Sequence, residues 1–100
     1  MEETVSMRLP REELKEIEYI SKEEKATKSN TLRDVLRRGI KDKKLELALK
    51  KYQDNEATAS KAARMAGIPL TKFLDILFER KISIHYDVDD LREDAESLGL

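Results

Sequence analysis

The chain has 100 residues, 39% apolar and 41% charged, with a net charge of −1, five aromatics and no cysteine. That length allows one compact domain or two very small ones, and neither half of such a chain buries a sizeable core alone, so pairing with a second copy is expected. Disulfide and thiol chemistry are excluded, and there is no bulk basic charge to signal nucleic acid, although a local basic patch would suffice.

Residues 4–10 read Thr-Val-Ser-Met-Arg-Leu-Pro. Val5, Met7 and Leu9 alternate with Thr4, Ser6 and Arg8, the period of a half-buried strand, and Pro10 stops it. Two helical segments follow before another strand candidate, so this strand lacks a partner in its own neighbourhood. The expected partner is the same strand of a second copy, antiparallel across a two-fold axis. Such a ribbon would bury Val5, Met7 and Leu9 and present Thr4, Ser6 and Arg8 to base edges in a DNA major groove. A plain edge strand on an ordinary helical domain is the alternative.

Leu14, Ile17 and Ile20 then give an apolar face to a helix from about Arg11 to Lys25. A break at Ala26–Lys28 leads to a second helix, with Thr27 as its N-cap and Leu32, Val35, Leu36 and Ile40 at helical spacing. Strand, helix, turn and helix within about 41 residues resemble the ribbon-helix-helix domain of Arc- and MetJ-type repressors. That resemblance implies base reading by Thr4, Ser6 and Arg8. It also implies phosphate binding at the backbone amides around Thr27, Lys28 and Ser29, where a helix dipole favours an anion.

Lys41–Lys44 is a solvated charge run, after which Leu45, Ala48, Leu49 and Tyr52 resume helical spacing. This stretch either continues the second helix as one rod or follows a break near Gly39. Gln53–Glu56 ends it. Thr58 reads as the N-cap of a short helix bearing Ala59, Ala62, Ala63 and Ala66, small residues that allow close helix approach. Gly67 suits a left-handed helix end onto which Ile68 packs back. Pro69 or Leu70 opens another helix, through Phe73, Leu74, Leu77 and Phe78 to Arg80. The pattern is that of a helix-turn-helix. Its exposed positions, Thr71, Lys72, Asp75 and Glu79, are mixed or acidic and would repel phosphates, which favours a packing and protein-contact role.

Ile82–Tyr86 alternates as a strand. Asp87 or Asp89 then caps a final helix with Leu91, Ala95 and Leu98 on one side. The last twenty residues hold six Asp/Glu against Lys81 and Arg92. From about Leu45 to Asp94 the chain resembles the uncharacterised protein family numbered 0175, small bacterial and archaeal proteins regarded as antitoxins. The residues carrying the likeness are Ser60–Ile68, Phe73-Leu74, Ile82–Asp87 and Asp89–Leu91. That resemblance implies an operon shared with a toxin, most often a PIN-domain ribonuclease, as for VapB-type antitoxins. A reader of operator DNA followed by a toxin-binding tail is also the usual antitoxin plan.

Catalysis has little to stand on. His85 is the single histidine, beside Tyr86 in an alternating segment where a polar surface position is the simpler reading. Asp87, Asp89, Asp90 and Asp94 fail the EF-hand spacing at Leu91 and fit first-turn acids of a helix instead. No phosphate loop and no Ser/His/Asp set exists, so no catalytic residue, metal site or cofactor is expected. The N-terminus lacks an apolar signal-peptide core, and no apolar run approaches membrane-spanning length, which predicts a cytoplasmic protein without a membrane partner.

The sequence therefore predicts a mainly α protein in two parts. Residues 1–41 form a ribbon-helix-helix domain that dimerises through residues 4–10 and binds double-stranded operator DNA. Residues 42–100 form a small helical, helix-turn-helix-like module with one short C-terminal strand and helix, and bind the toxin encoded by the adjacent gene. Ile84, Tyr86, Leu91 and Leu98 are the expected apolar anchors, and Arg80, Lys81 and Arg92 the cations for a carboxylate-rich nuclease site. The rival reading is a stand-alone ribbon-helix-helix regulator whose second half stabilises the dimer or senses an effector. A third is an adaptor that uses the ribbon only to dimerise.

Overall fold

The computed structural model describes residues 2–84, and these contain four helices and no strand. They are α1 (Arg11–Glu24), α2 (Lys28–Gln53), α3 (Ala59–Ala66) and α4 (Leu70–Glu79). The expected N-terminal ribbon is thereby corrected. Residues 4–10 carry no regular structure, and Val5 and Met7 are 86% and 73% exposed. Alternation tells which face a strand would bury, but a ladder needs a second strand, and none exists among the described residues.

The expected strand at 82–86 is corrected too, over its described part. Residues 82–84 form no strand, because the Ile82 amide is spent on the end of α4, donating to the Leu77 carbonyl at 2.9 Å. His85, Tyr86 and the expected final helix lie outside the described residues.

The helices stand where the apolar spacing placed them. Pro10 precedes α1, where its missing N–H costs nothing, and Glu12 and Glu13 occupy the first turn, favoured by the helix dipole. Thr27 caps α2, its hydroxyl accepting from the Asn30 amide at 3.1 Å. Of the two possibilities at Gly39, the unbroken rod is realised. Thr58 caps α3, accepting from the Lys61 amide at 3.1 Å.

All four helices end by one device. A residue in the left-handed conformation follows each: Lys25 (φ 55°), Asn55 (φ 60°), Gly67 (φ 72°) and Lys81 (φ 57°). Its amide donates three residues back, to Lys22, Tyr52, Arg64 and Phe78 respectively. The next amide donates five residues back, from Ala26 to Ser21, Glu56 to Lys51, Ile68 to Ala63 and Ile82 to Leu77. These are Schellman closures, which satisfy carbonyls that the helix end would otherwise orphan.

The chain divides into two compact units, Met1–Arg38 and Gly39–Leu100, the boundary falling within α2. The first has no apolar core among its described residues. Its two buried side chains, Ser21 and Thr31, are polar, while Leu14, Ile17, Ile20 and Leu32 are half-buried. The second has a core of Ala48, Leu49 and Tyr52 from α2, Ala59, Ala62, Ala63 and Ala66 from α3, and Leu70, Phe73 and Leu77 from α4. At its centre the Tyr52 and Phe73 rings meet edge to face, 5.8 Å between centroids and 82° between planes.

Two predictions follow from this packing. Phe73→Ala should cost about 3–5 kcal/mol in urea unfolding followed by circular dichroism, because the ring is fully buried. Phe78→Ala, at a side chain 80% exposed, should stay within about 0.5 kcal/mol. A methyl group added at Gly39 or Gly67 meets no neighbouring atom, so backbone conformation alone decides the outcome there. Gly39→Ala in mid-helix should stabilise by about 0.5–1 kcal/mol, and Gly67→Ala at positive φ should destabilise by about 1 kcal/mol. Equal and like-signed changes in the two midpoints would contradict this assignment.

Candidate functional site

The residues expected to read DNA are not brought together into one surface. Thr4, Ser6 and Arg8 are exposed on the irregular N-terminal segment, and the ribbon that would have aligned them is absent from the described residues. At the start of α2 the geometry is more definite. The Thr27 hydroxyl is committed to the cap, Lys28 pairs with Glu18 at 3.3 Å, and Ser29 is exposed. Lys28 and Glu18 are each about half exposed, so their pair is a weak one that a competing anion can exchange.

The expected toxin-binding residues fall only partly within the described region. Arg80 and Lys81 are exposed at the end of α4, where Lys81 takes the left-handed closure. Ile84 is 47% exposed. Tyr86, Leu91, Arg92 and Leu98 lie outside the described residues. Exposed Phe78, which the sequence places in the apolar series of this helix with Phe73, Leu74 and Leu77, adds an apolar side chain to the same end of the module. Five-residue strides along α4 make the reason plain: Phe73 is buried and Phe78 falls on the opposite face.

A concavity of about 490 Å³ escaped the sequence reading altogether. It lies within the second unit and is lined by Lys51, Glu56, Ala57, Lys61, Arg64 and Met65. Three elements build it: the last turn of α2, the connector that follows, and the outer face of α3. The Asn55 closure turns the chain sharply enough for Glu56 to pair with Lys51 at 3.7 Å. The Thr58 cap starts α3 immediately after, which sets Lys61 and Arg64 one turn apart on its exposed side. Met65 is partly exposed and supplies an adaptable apolar surface beside Ala57. Lys61 and Arg64, three apart next to an alanine stripe, were the signal available in the sequence.

Among the described residues no group of acidic side chains, His or Cys is placed to hold a metal ion. None of the described helices is long and apolar enough to cross a membrane.

Comparison with known proteins returns one family. A profile of the Uncharacterised protein family (UPF0175) matches residues 27–99. The chain is similar to a UPF0175 protein of Aeropyrum pernix, 36% identical over 53 residues that cover 53% of this chain and 60% of that protein. It is similar to another from Archaeoglobus fulgidus, 30% identical over 56 residues that cover 56% of this chain and 64% of the relative. A third, from Synechocystis, is 28% identical over 53% of this chain and 60% of its own length. The chain thus spans about three fifths of the curated relatives it matches. No solved structure matches it. The family match begins at the cap of α2 and takes in α2, α3 and α4, the elements that build the core and the concavity. On that match, the chain belongs to the Uncharacterised protein family (UPF0175).

Proposed function

We propose that this protein is the antitoxin of a toxin–antitoxin pair: a self-associating, non-catalytic protein that neutralises a toxin, a PIN-domain ribonuclease, with residues from Arg80 onward. The observation that carries the reading is family membership across α2–α4, joined to a module that leaves exposed apolar side chains beside exposed cations where α4 ends. Phe78 and Ile84 supply anchors that a partner groove would desolvate, and Arg80 and Lys81 supply charge for a carboxylate-rich nuclease site. A binding role also accords with a single histidine in the whole sequence, which leaves little for proton transfer.

Self-association is part of the proposal. The first unit exposes Val5, Met7, Val35 and Leu36 and buries no apolar side chain among its described residues, a pattern that a second copy would complete. Operator DNA is the other proposed partner, with phosphates held at the start of α2 by Thr27–Ser29, where Lys28 can trade Glu18 for a phosphate oxygen.

The toxin claim is tested by the full-length Phe78→Ala/Arg80→Glu/Lys81→Glu variant, whose three altered side chains are exposed in the folded unit. It should retain its helical circular dichroism yet lose co-purification with the adjacent gene's product and lose growth protection on co-expression. A variant that still protects cells and still co-purifies with the neighbour would place the partner site away from the end of α4. Self-association is tested by Leu36→Asp in sedimentation velocity. Leu36 is 60% exposed in the single chain, so a monomer should barely register the change, within about 0.5 kcal/mol. A buried copy would instead carry an unpaired charge costing several kcal/mol, and the dimer should dissociate. An unchanged sedimentation coefficient would remove this face from the interface.

A further inference from the structure

We propose that the solvent face of α2 within the second unit is a docking surface for an acidic amphipathic helix of another protein. Leu45, Ala48, Leu49 and Tyr52 turn toward the core, and helical spacing puts Asp42 and Glu46 on one flank. The remaining sector carries Ile40 and Leu47, 53% and 57% exposed, with Lys43 and Lys44 between them along the helix. Lys50 and Lys51 repeat that pair of lysines two turns on. Residues 40–51 hold five lysines against two acids, in a chain whose net charge is −1.

Ile40, Lys43, Lys44 and Leu47 stand at the spacing of the four corners between which a side chain of a facing helix inserts. The two aliphatic residues close the ends, about 10 Å apart along the axis, and the lysine stems line the sides. A partner's leucine seated there packs on aliphatic carbon. Carboxylates on its two flanks then reach the ammonium groups on either side. Lys43 pairs with Glu46 at 3.6 Å with both side chains well exposed, a weak pair that a partner carboxylate can exchange.

The same pattern disfavours the other occupants. A second copy laid on this face would set Lys43 and Lys44 against their own equivalents, like charge on like. Nucleic acid phosphates would give Ile40 and Leu47 nothing to pack on. A lipid surface is bound by a broad apolar face, and two separated aliphatic side chains do not make one. The surface is distinct from the end of α4, so the inference does not depend on the toxin reading.

The probe is a synthetic helix with leucines along one face and glutamates on both flanks, and its control carries lysines in place of the glutamates. Added at low salt to the nitrogen-15-labelled full-length protein, the glutamate peptide should shift the amides of Ile40, Lys43, Lys44 and Leu47 and spare those of Ala62, Phe78 and Lys81. Lys43→Glu/Lys44→Glu should keep the helical circular dichroism, weaken the glutamate peptide by at least about tenfold and gain binding of the lysine peptide. Leu47→Ala, at a half-exposed side chain, should weaken the glutamate peptide several-fold without unfolding the unit. In 1 M salt, where the Debye length is about 3 Å, the preference for the glutamate peptide should vanish. Equal affinity for the two peptides, affinity indifferent to the charge reversal, or shifts confined to the end of α4 overturns the proposal. Phosphatidylglycerol vesicles or a short DNA duplex that shift these amides where the glutamate peptide does not would assign the surface to lipid or nucleic acid instead. A lower sedimentation coefficient for Leu47→Asp than for the unaltered protein, each measured alone, would assign it to a second copy and overturn the proposal as well.

Discussion

Tyr52 and Phe73 meet edge to face at the centre of the second unit, and the rest of that unit is arranged so that they can. Both rings are buried, and such a pair contributes about 0.5–1.5 kcal/mol beyond the area it removes from water. The contact requires α2 and α4 to share a core with α3 between them in sequence. Alanine makes that possible, because α3 turns Ala59, Ala62, Ala63 and Ala66 inward and adds almost no bulk of its own. It also surrenders no rotamer freedom on burial. Eight residues of helix are thus enough to complete a core whose large members come from elsewhere.

The two units solve the problem of small size differently. The second concentrates its apolar residues, with half-buried Leu45, Ile68, Leu74, Ile76 and Ile82 sealing the edges. The first leaves its apolar residues half-buried or exposed and, among the described residues, buries two hydroxyl side chains instead. Ser21 donates to the Ile17 carbonyl at 2.8 Å, whereas buried Thr31 Oγ1 has no hydrogen-bond partner among the described residues. An unsatisfied buried hydroxyl costs free energy, so the burial around Thr31 is maintained by its neighbours.

Helices were legible in the sequence because each one is specified twice, by apolar spacing and by a start or stop residue. Thr27, Thr58 and Gly67 act as read, and α3 and α4 begin and end within a residue of expectation. Three of the four closures were not legible, since Lys25, Asn55 and Lys81 take a conformation that sequence rules assign first to glycine. The ribbon failed for a different reason. Alternation at Val5, Met7 and Leu9 constrains a face, not a pairing, and pairing is a property of two segments. The concavity was hidden because Lys51, Glu56 and Lys61 belong to three elements whose juxtaposition depends on the Asn55 turn. Its lining is a product of the fold rather than of any local pattern.

The repeated helix closure has a kinetic meaning. Each stop is completed within six residues of chain, and loops of about ten residues close in roughly 10–100 ns. Helix boundaries are therefore fixed without waiting for distant contacts, and the central ring pair joins residues only twenty-one positions apart. Local topology of this kind folds in about microseconds to milliseconds, while synthesis adds about 5–20 residues per second. Closure of the described core is therefore governed by contacts among residues 45–82, between segments that lie near one another along the chain.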